Sequence, residues 1–194
     1  MEKKTLIGSG SYGNVYLLES GLCLKEGQVD DDIYAHSKFL NKWSIFPEFH
    51  GVVEEYDADT GVGSFLMEFM DGMTLSDFMG YIKLNGGVMT DHLKRRTGFT
   101  SLNSILVEIE TIELTLNEVF EKDNIWVLDI HSENVMLVNG EIKIIDVGCI
   151  EIDSRGWDDA LEFLYEEIYL LQGYVNKEHL LKLEGEMLNE NCAE

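Results

Sequence analysis

Three polar residues, Asp129, Asn134 and Asp146, stand at spacings that could hold a hard cation beside a hydroxyl group. Asn134 opens the apolar run Val135-Met136-Leu137-Val138. Asn139-Gly140 follows, and Glu141-Ile142-Lys143-Ile144-Ile145 then leads to Asp146. Asn-Gly between two such runs is a strong signal for a two-residue hairpin turn. Pairing Val138 with Glu141 and stepping backwards sets Asn134 opposite Ile145, so Asn134 and Asp146 are expected side by side at the open end of one hairpin. Asp129 lies one short loop upstream. Two oxygen ligands suit a divalent cation, and a nearby carboxylate could orient or deprotonate a hydroxyl. The bland alternative, three polar residues capping turns, explains each residue singly but not their joint spacing.

A second constellation lies near the N-terminus. Gly8, Gly10, Gly13 and Val15 fit the pattern G-x-G-x-x-G-x-V. Glycines let a backbone approach phosphate oxygens and donate N–H bonds with no Cβ in the way. Dinucleotide sites carry the same spacing, but there the third glycine opens a helix. Here Val15-Tyr16-Leu17-Leu18 is expected to continue as a strand. Lys25 ends the apolar strand Leu22–Lys25, from which an ammonium could reach phosphates. A ligand-free glycine hairpin and an exposed edge lysine are the competing readings.

The elements that must position these residues follow from pattern. Residues 5–18 predict two strands about a glycine-rich turn, and Glu19-Ser20-Gly21 a tight corner before the Leu22–Lys25 strand. Asp31–Trp43 has helical spacing, with Ile33, Phe39 and Leu40 facing inward and Asp30 to Asp32 as candidate caps. Strands are expected around Gly51–Tyr56 and Ser64–Phe69, then a break at Asp71-Gly72 and a short helix opening at Thr74 to Ser76. Residues 83–100 are polar and carry no assignment. From Ser101 to Lys122, Leu102, Ile105, Leu106, Ile109, Ile112, Leu116, Val119 and Phe120 form one apolar stripe of a helix. Two more helices are expected near Asp158–Leu171 and Lys177–Leu188. The order implies an α+β protein in two lobes, about 1–70 and 71–194, within a single domain.

Composition narrows the partners. The 194 residues carry 37 acidic against 14 basic side chains, a net charge of −23. Such a surface repels nucleic-acid phosphates and anionic membranes and favours basic partner surfaces. Cys23, Cys149 and Cys192 are odd in number and lack metal-ligand spacing, as expected in a reducing compartment. No cationic start leads into an apolar run, and no apolar stretch approaches membrane-spanning length. A soluble, cytoplasmic protein is expected.

With these residues in view, D-x-H-x-x-N followed by D-V-G resembles the catalytic loop and metal motif of the protein-kinase-like superfamily. Phe65 to Leu75 resembles the strand and hinge that hold adenine. The resemblance runs from about residue 6 to 148. It implies ATP and Mg²⁺ as cofactors, Asp129 as base, Asn134 and Asp146 as metal ligands, and Lys25 on the phosphates. It further implies that Met67 is the gatekeeper and that the backbone of Glu68 and Met70 meets the adenine edge. Asp-Ile-His-Ser-Glu-Asn-Val-Met with the Asn-Gly hairpin looks most like early-gene protein kinases of short-tailed bacteriophages. That likeness implies serine/threonine phosphorylation of host bacterial proteins, including transcription and RNA-processing machinery, in the host cytoplasm.

The chain departs from that pattern in several places. Val127-Leu128 replace the usual His-Arg, so no arginine is there to read a phosphorylated activation loop. His131 stands where protein kinases carry lysine, as in aminoglycoside and choline kinases; a histidine there can still hydrogen-bond a γ-phosphate, with less charge at neutral pH. No helix glutamate for Lys25 is evident; His36 falls near that place, and Asp30 to Asp32 are the nearest acids. Only 46 residues follow Gly148, with no A-P-E, so the peptide-docking half is expected to be truncated. A minimal serine/threonine kinase is the favoured reading. A small-molecule hydroxyl kinase and a non-catalytic acidic decoy that binds a basic partner are the alternatives.

Overall fold

The computed structural model describes residues 3–10, 13–28, 40–57, 59–127, 130–145, 150–152, 166, 169–177, 179–180 and 182. Within them the chain is α+β, and it divides into two compact units. One comprises Met1–Asp71, Thr115–Asp129 and Lys143–Trp157; the other comprises Gly72–Leu114, Ile130–Ile142 and Asp158–Glu194.

The first unit is built on five antiparallel strands: β1 (Lys4–Gly10), β2 (Gly13–Leu18), β3 (Leu22–Gln28), β4 (Phe49–Asp57) and β5 (Val62–Glu68), in the order β1-β2-β3-β5-β4. The corner between β2 and β3 closes with the Gly21 N–H donating to the Leu18 carbonyl at 3.0 Å, as the Glu-Ser-Gly run predicts. Residues directly opposed across antiparallel strands project to one face. Val15 faces Lys25, and Lys25 faces Phe65; in the next row Cys23 faces Met67, and Met67 faces Phe49. Cys23, Phe65 and Met67 are buried together, with Val15, Phe49 and Phe69 packed around them. Burial pushes the Cys23 thiol up to about 11, so it acts as a small apolar side chain.

The second unit holds α1 (Leu75–Leu84), α2 (Asp91–Thr97) and the N-terminal part of α3 (Leu102–Asp123). Thr74 caps α1, its hydroxyl accepting from the Asp77 N–H at 3.1 Å. α2 was not legible in the polar stretch 83–100. Thr90 caps it, and Gly98 closes it at φ 79°. The stripe expected on α3 is buried from Leu102 to Val119, with Phe120 half-buried. Each such side chain contributes about 1.5–3 kcal/mol on leaving water. The last turn of α3 is tied within the first unit: Asp123 accepts from Trp43 Nε1 at 2.8 Å and from Lys42 Nζ at 3.0 Å. Burial pushes the Asp123 carboxyl up, but those two hydrogen bonds and the charges of Lys42 and Lys122 outweigh it and hold the carboxyl below its usual range.

Beyond α3, β7 (Ile125–Val127) pairs with β10 (Ile150–Ile152), a pairing the sequence did not announce. β8 (Val135–Val138) and β9 (Glu141–Ile144) form the expected hairpin, and the short β6 (Met73–Thr74) lies antiparallel to β8. Residues 169–177 are continuously helical, so the break expected between Leu171 and Lys177 is absent. The expected helix residues Ile33, His36 and Phe39, the caps Asp30 to Asp32, and Asp158 to Tyr165 lie outside the described residues. Among the described residues no helix is long and apolar enough to cross a membrane.

Candidate functional site

The glycines of the segment lie on two paired strands, Gly8 and Gly10 on β1 and Gly13 at the start of β2. β1 and β2 pair with Gly8 opposite Val15 and Gly10 opposite Gly13, and the strand after the third glycine rules out the helix that a dinucleotide fingerprint needs there. The three glycines differ in why the chain could need them. A Cβ on Gly13 would stand 2.3 Å from the Glu26 carbonyl oxygen and 2.8 Å from Gly27 Cα, so close approach of β2 to β3 demands glycine. A Cβ on Gly10 would meet nothing within 4 Å, and one on Gly8 only Val15 Cβ at 3.8 Å. The fold itself therefore does not demand glycine at these two positions.

A measurable contrast follows. Gly13→Ala is expected to destabilise the protein by roughly 2–4 kcal/mol, because backbone rather than a flexible side chain must move. Gly10→Ala is expected to stay within about 0.5 kcal/mol of wild type in a urea melt. Equal melting losses in both variants would refute the distinction.

Lys25 lies on β3, the middle strand of the five, half-buried and on the same face as Val15, Phe65 and Met67. One competing reading falls here and one expectation is corrected. Lys25 is not an edge lysine, and it does not close its strand, since β3 runs on to Gln28. Continued pairing of Glu26, Gly27 and Gln28 with β5 carries the strand past the point where apolar character ends. Met67 is buried opposite Cys23. The Glu68 N–H donates to the Glu48 carbonyl at 2.8 Å, so a ligand edge would have to meet the Glu68 carbonyl. Met70 is buried just beyond the strand.

In the second unit, the turn before β8 presents His131 and Asn134. The Asn134 N–H donates to the His131 carbonyl at 2.8 Å, closing a four-residue turn that brings the two side chains together. His131 Nε2 stands 2.9 Å from Asn134 Nδ2, and the Glu133 N–H approaches His131 Nδ1 at 3.3 Å. The Ser132 carbonyl accepts from the Ser76 N–H at 2.9 Å, fastening the turn to the start of α1. At the other end of β8, Asn139 and Gly140 have φ of 53° and 85°, which a two-residue turn of this kind requires and which Asn-Gly supplies. The Gly140 N–H donates to the Thr97 carbonyl at 2.8 Å, and a Cβ on Gly98 would stand 2.3 Å from Gly140 N. The hairpin carrying Asn134 is thus held at both ends. The contact between His131 and Asn134, and the docking of the turn on Gly98, were invisible in the sequence.

Asp129 and Asp146 lie outside the described residues, so their placement beside Asn134 stays an expectation. Among the described residues, no group of three or more His, Cys, Asp or Glu side chains could hold a metal ion. Among the described residues, Asn134 carries a carboxamide oxygen of the kind that can ligate a hard cation. The chain matches no protein-family model and no curated protein.

Proposed function

We propose that this protein is an ATP- and Mg²⁺-dependent phosphotransferase of two-lobed, protein-kinase-like fold, with serine or threonine hydroxyls of proteins as acceptors. The observation that supports the reading is the face shared by Val15, Lys25 and Met67 on a sheet whose first two strands carry the glycine run. An apolar residue, a cation and a buried gatekeeper in that arrangement suit a nucleotide whose base is apolar and whose phosphates are anionic. When bound, Mg²⁺ would neutralise charge on the phosphates. Asn134 and Asp146 would hold it through oxygen, and Lys25 would pair with phosphate oxygens. Asp129 would accept the acceptor hydroxyl's proton as that oxygen bonds to the γ-phosphorus and ADP departs with the bridging oxygen. The net charge of −23 favours acceptors presented on basic surfaces.

The test is incubation with γ-labelled ATP, Mg²⁺ and a bacterial lysate. Label on protein bands, converted to phosphoserine or phosphothreonine on hydrolysis, is the expected result. Label confined to small molecules would replace the acceptor class. No transfer, together with no ATP binding, would sink the enzymatic reading.

A further inference from the structure

Residues 41–48 join Leu40 to β4 and contain no helix or strand of their own. Three segments distant in sequence nevertheless fasten to this short stretch, all within the first unit. The Trp43 indole Nε1–H donates to Asp123 Oδ2 at 2.8 Å, gripping the last turn of α3. The Glu68 N–H donates to the Glu48 carbonyl, and the Ile144 N–H to the Ile45 carbonyl, each at 2.8 Å. We propose that Trp43 is a positioning residue for phosphoryl transfer: its bond to Asp123 holds the α3–β7 corner, and so the approach to Asp129, at a fixed place relative to the end of β5. The inference rests on the phosphotransferase reading for its kinetic consequence, and on these bonds for its geometry.

A stretch without regular structure can brace other elements only where it is itself closed and buried. Both conditions are met. Asn41 closes it with one carboxamide, Nδ2 donating to the Phe49 carbonyl at 2.9 Å and Oδ1 accepting from the Phe49 N–H at 2.7 Å. Ile45, Phe46 and Pro47 are buried. The half-buried Trp43 ring also has Lys122 Nζ 5.3 Å from its centroid, so the indole is held at its face as well as at its N–H. Asp123 stands six residues before Asp129, and Val127 between them is buried. Ile144 stands two residues before Asp146. Both segments that would carry the chemistry are thus entered from points tied to one stretch, and that stretch is tied to the strand end assigned to the adenine edge. A misplacement of about 1 Å at a reacting group can cost about 100-fold in rate. Such a brace acts on turnover without touching substrate.

Variants can isolate the bond from bulk and from charge. Trp43→Phe keeps an aromatic ring and loses the donor. Asp123→Asn keeps an acceptor oxygen for the indole and loses the charge that meets Lys42. Initial rates at saturating and limiting Mg-ATP should show Trp43→Phe and Asp123→Ala each lowering kcat roughly 10–100-fold with KM unchanged. Asp123→Asn should retain most of the wild-type kcat. The double variant Trp43→Phe/Asp123→Ala should lose no more than either single one, since both remove the same bond. A folded Trp43→Phe protein with wild-type kcat would overturn the proposal. So would equal damage from Asp123→Asn and Asp123→Ala, which would place the effect in the charge.

Hydrogen exchange reads the brace with no ligand and no turnover. In the wild type, the N–H groups of Phe49, Glu68 and Ile144 all have their acceptors in residues 41–48 and should open as one unit. Three unrelated exchange rates would overturn the brace. Trp43→Phe should speed all three by one common factor. It should leave unchanged the Gly87 N–H, which is bonded to the Ile82 carbonyl in the other unit. An equal rise at Gly87 would mark a general loss of stability and overturn the positioning role. Should Trp43→Phe fail to fold, the two Asp123 variants and the wild-type exchange carry the decision. Should the wild type transfer no phosphate, the phosphotransferase reading fails, and the exchange pattern still decides whether residues 41–48 act as one piece.

Discussion

Asp129→Ala is expected to lower the turnover of phosphoryl transfer by roughly 10²–10⁴-fold, the usual contribution of a positioned acid–base group, with little change in Mg-ATP affinity. Asp146→Ala is expected to weaken Mg-ATP binding at least about tenfold, which is what losing even an orienting partner of a ligand costs. The two carboxylates share a charge and a neighbourhood in sequence, so a purely structural account would make their removal equivalent. The proposed roles do not. A base acts on the acceptor hydroxyl and is not needed to hold nucleotide. A cation ligand contributes before any chemistry occurs. The motivating observation is the hairpin: β8 and β9 form with the Asn139-Gly140 turn that the spacing requires, and Asn134 immediately precedes β8. Initial rates at saturating and limiting Mg-ATP separate the cases. A fall in kcat with KM unchanged is expected for Asp129→Ala, and a rise in KM for Asp146→Ala. Identical changes in both parameters for both variants would contradict the assignment.

Legibility in the sequence followed the range of the interactions. The β8–β9 hairpin was readable because a two-residue Asn-Gly turn is a local signal that also fixes register. The α3 stripe was readable because 22 residues give six turns of repetition. The start of α1 was readable near Thr74 because a hydroxyl residue before a helix satisfies an orphan N–H. α2 was not, because seven residues make two turns and only Leu93 and Thr97 are buried, too little for any periodicity to stand out. β7 and β10 each offer three residues and are joined across more than twenty others, so neither strand carries its partner's signature. Lys25 illustrates a subtler failure. Its motif marked it as a candidate phosphate contact, but its position mid-strand depends on pairing of the polar Glu26-Gly27-Gln28 with β5. Polarity alone marked that stretch as a strand end. The contact of His131 with Asn134 was not foreseen, because it follows from closure of a four-residue turn, a backbone matter that side-chain type does not announce.

Gly98→Ala is expected to cost about 3 kcal/mol, through two independent terms. Gly98 closes α2 in the left-handed conformation, at φ 79°, where a Cβ costs roughly 1–2 kcal/mol. That Cβ would also stand 2.3 Å from Gly140 N, 2.5 Å from the Asn139 carbonyl carbon and 2.7 Å from Asn139 Cα. These are backbone atoms of a tight turn with no rotamer to give way. Relief requires the turn to retreat from α2, which lengthens the bond from the Gly140 N–H to the Thr97 carbonyl, now 2.8 Å. A buried backbone hydrogen bond of this kind is worth about 1 kcal/mol. Gly80 supplies the control. It lies exposed within α1, and a Cβ there would meet nothing within 4 Å. Gly80→Ala is therefore expected to stabilise the protein by about 0.5–1 kcal/mol, since alanine restricts the unfolded chain and favours helix. Urea melts of the two variants should move in opposite directions. A Gly98→Ala loss no larger than 1 kcal/mol would mean that the hairpin is not held through Gly98. In that case the orientation of Asn134 would rest on the His131 turn and the Ser76–Ser132 bond alone.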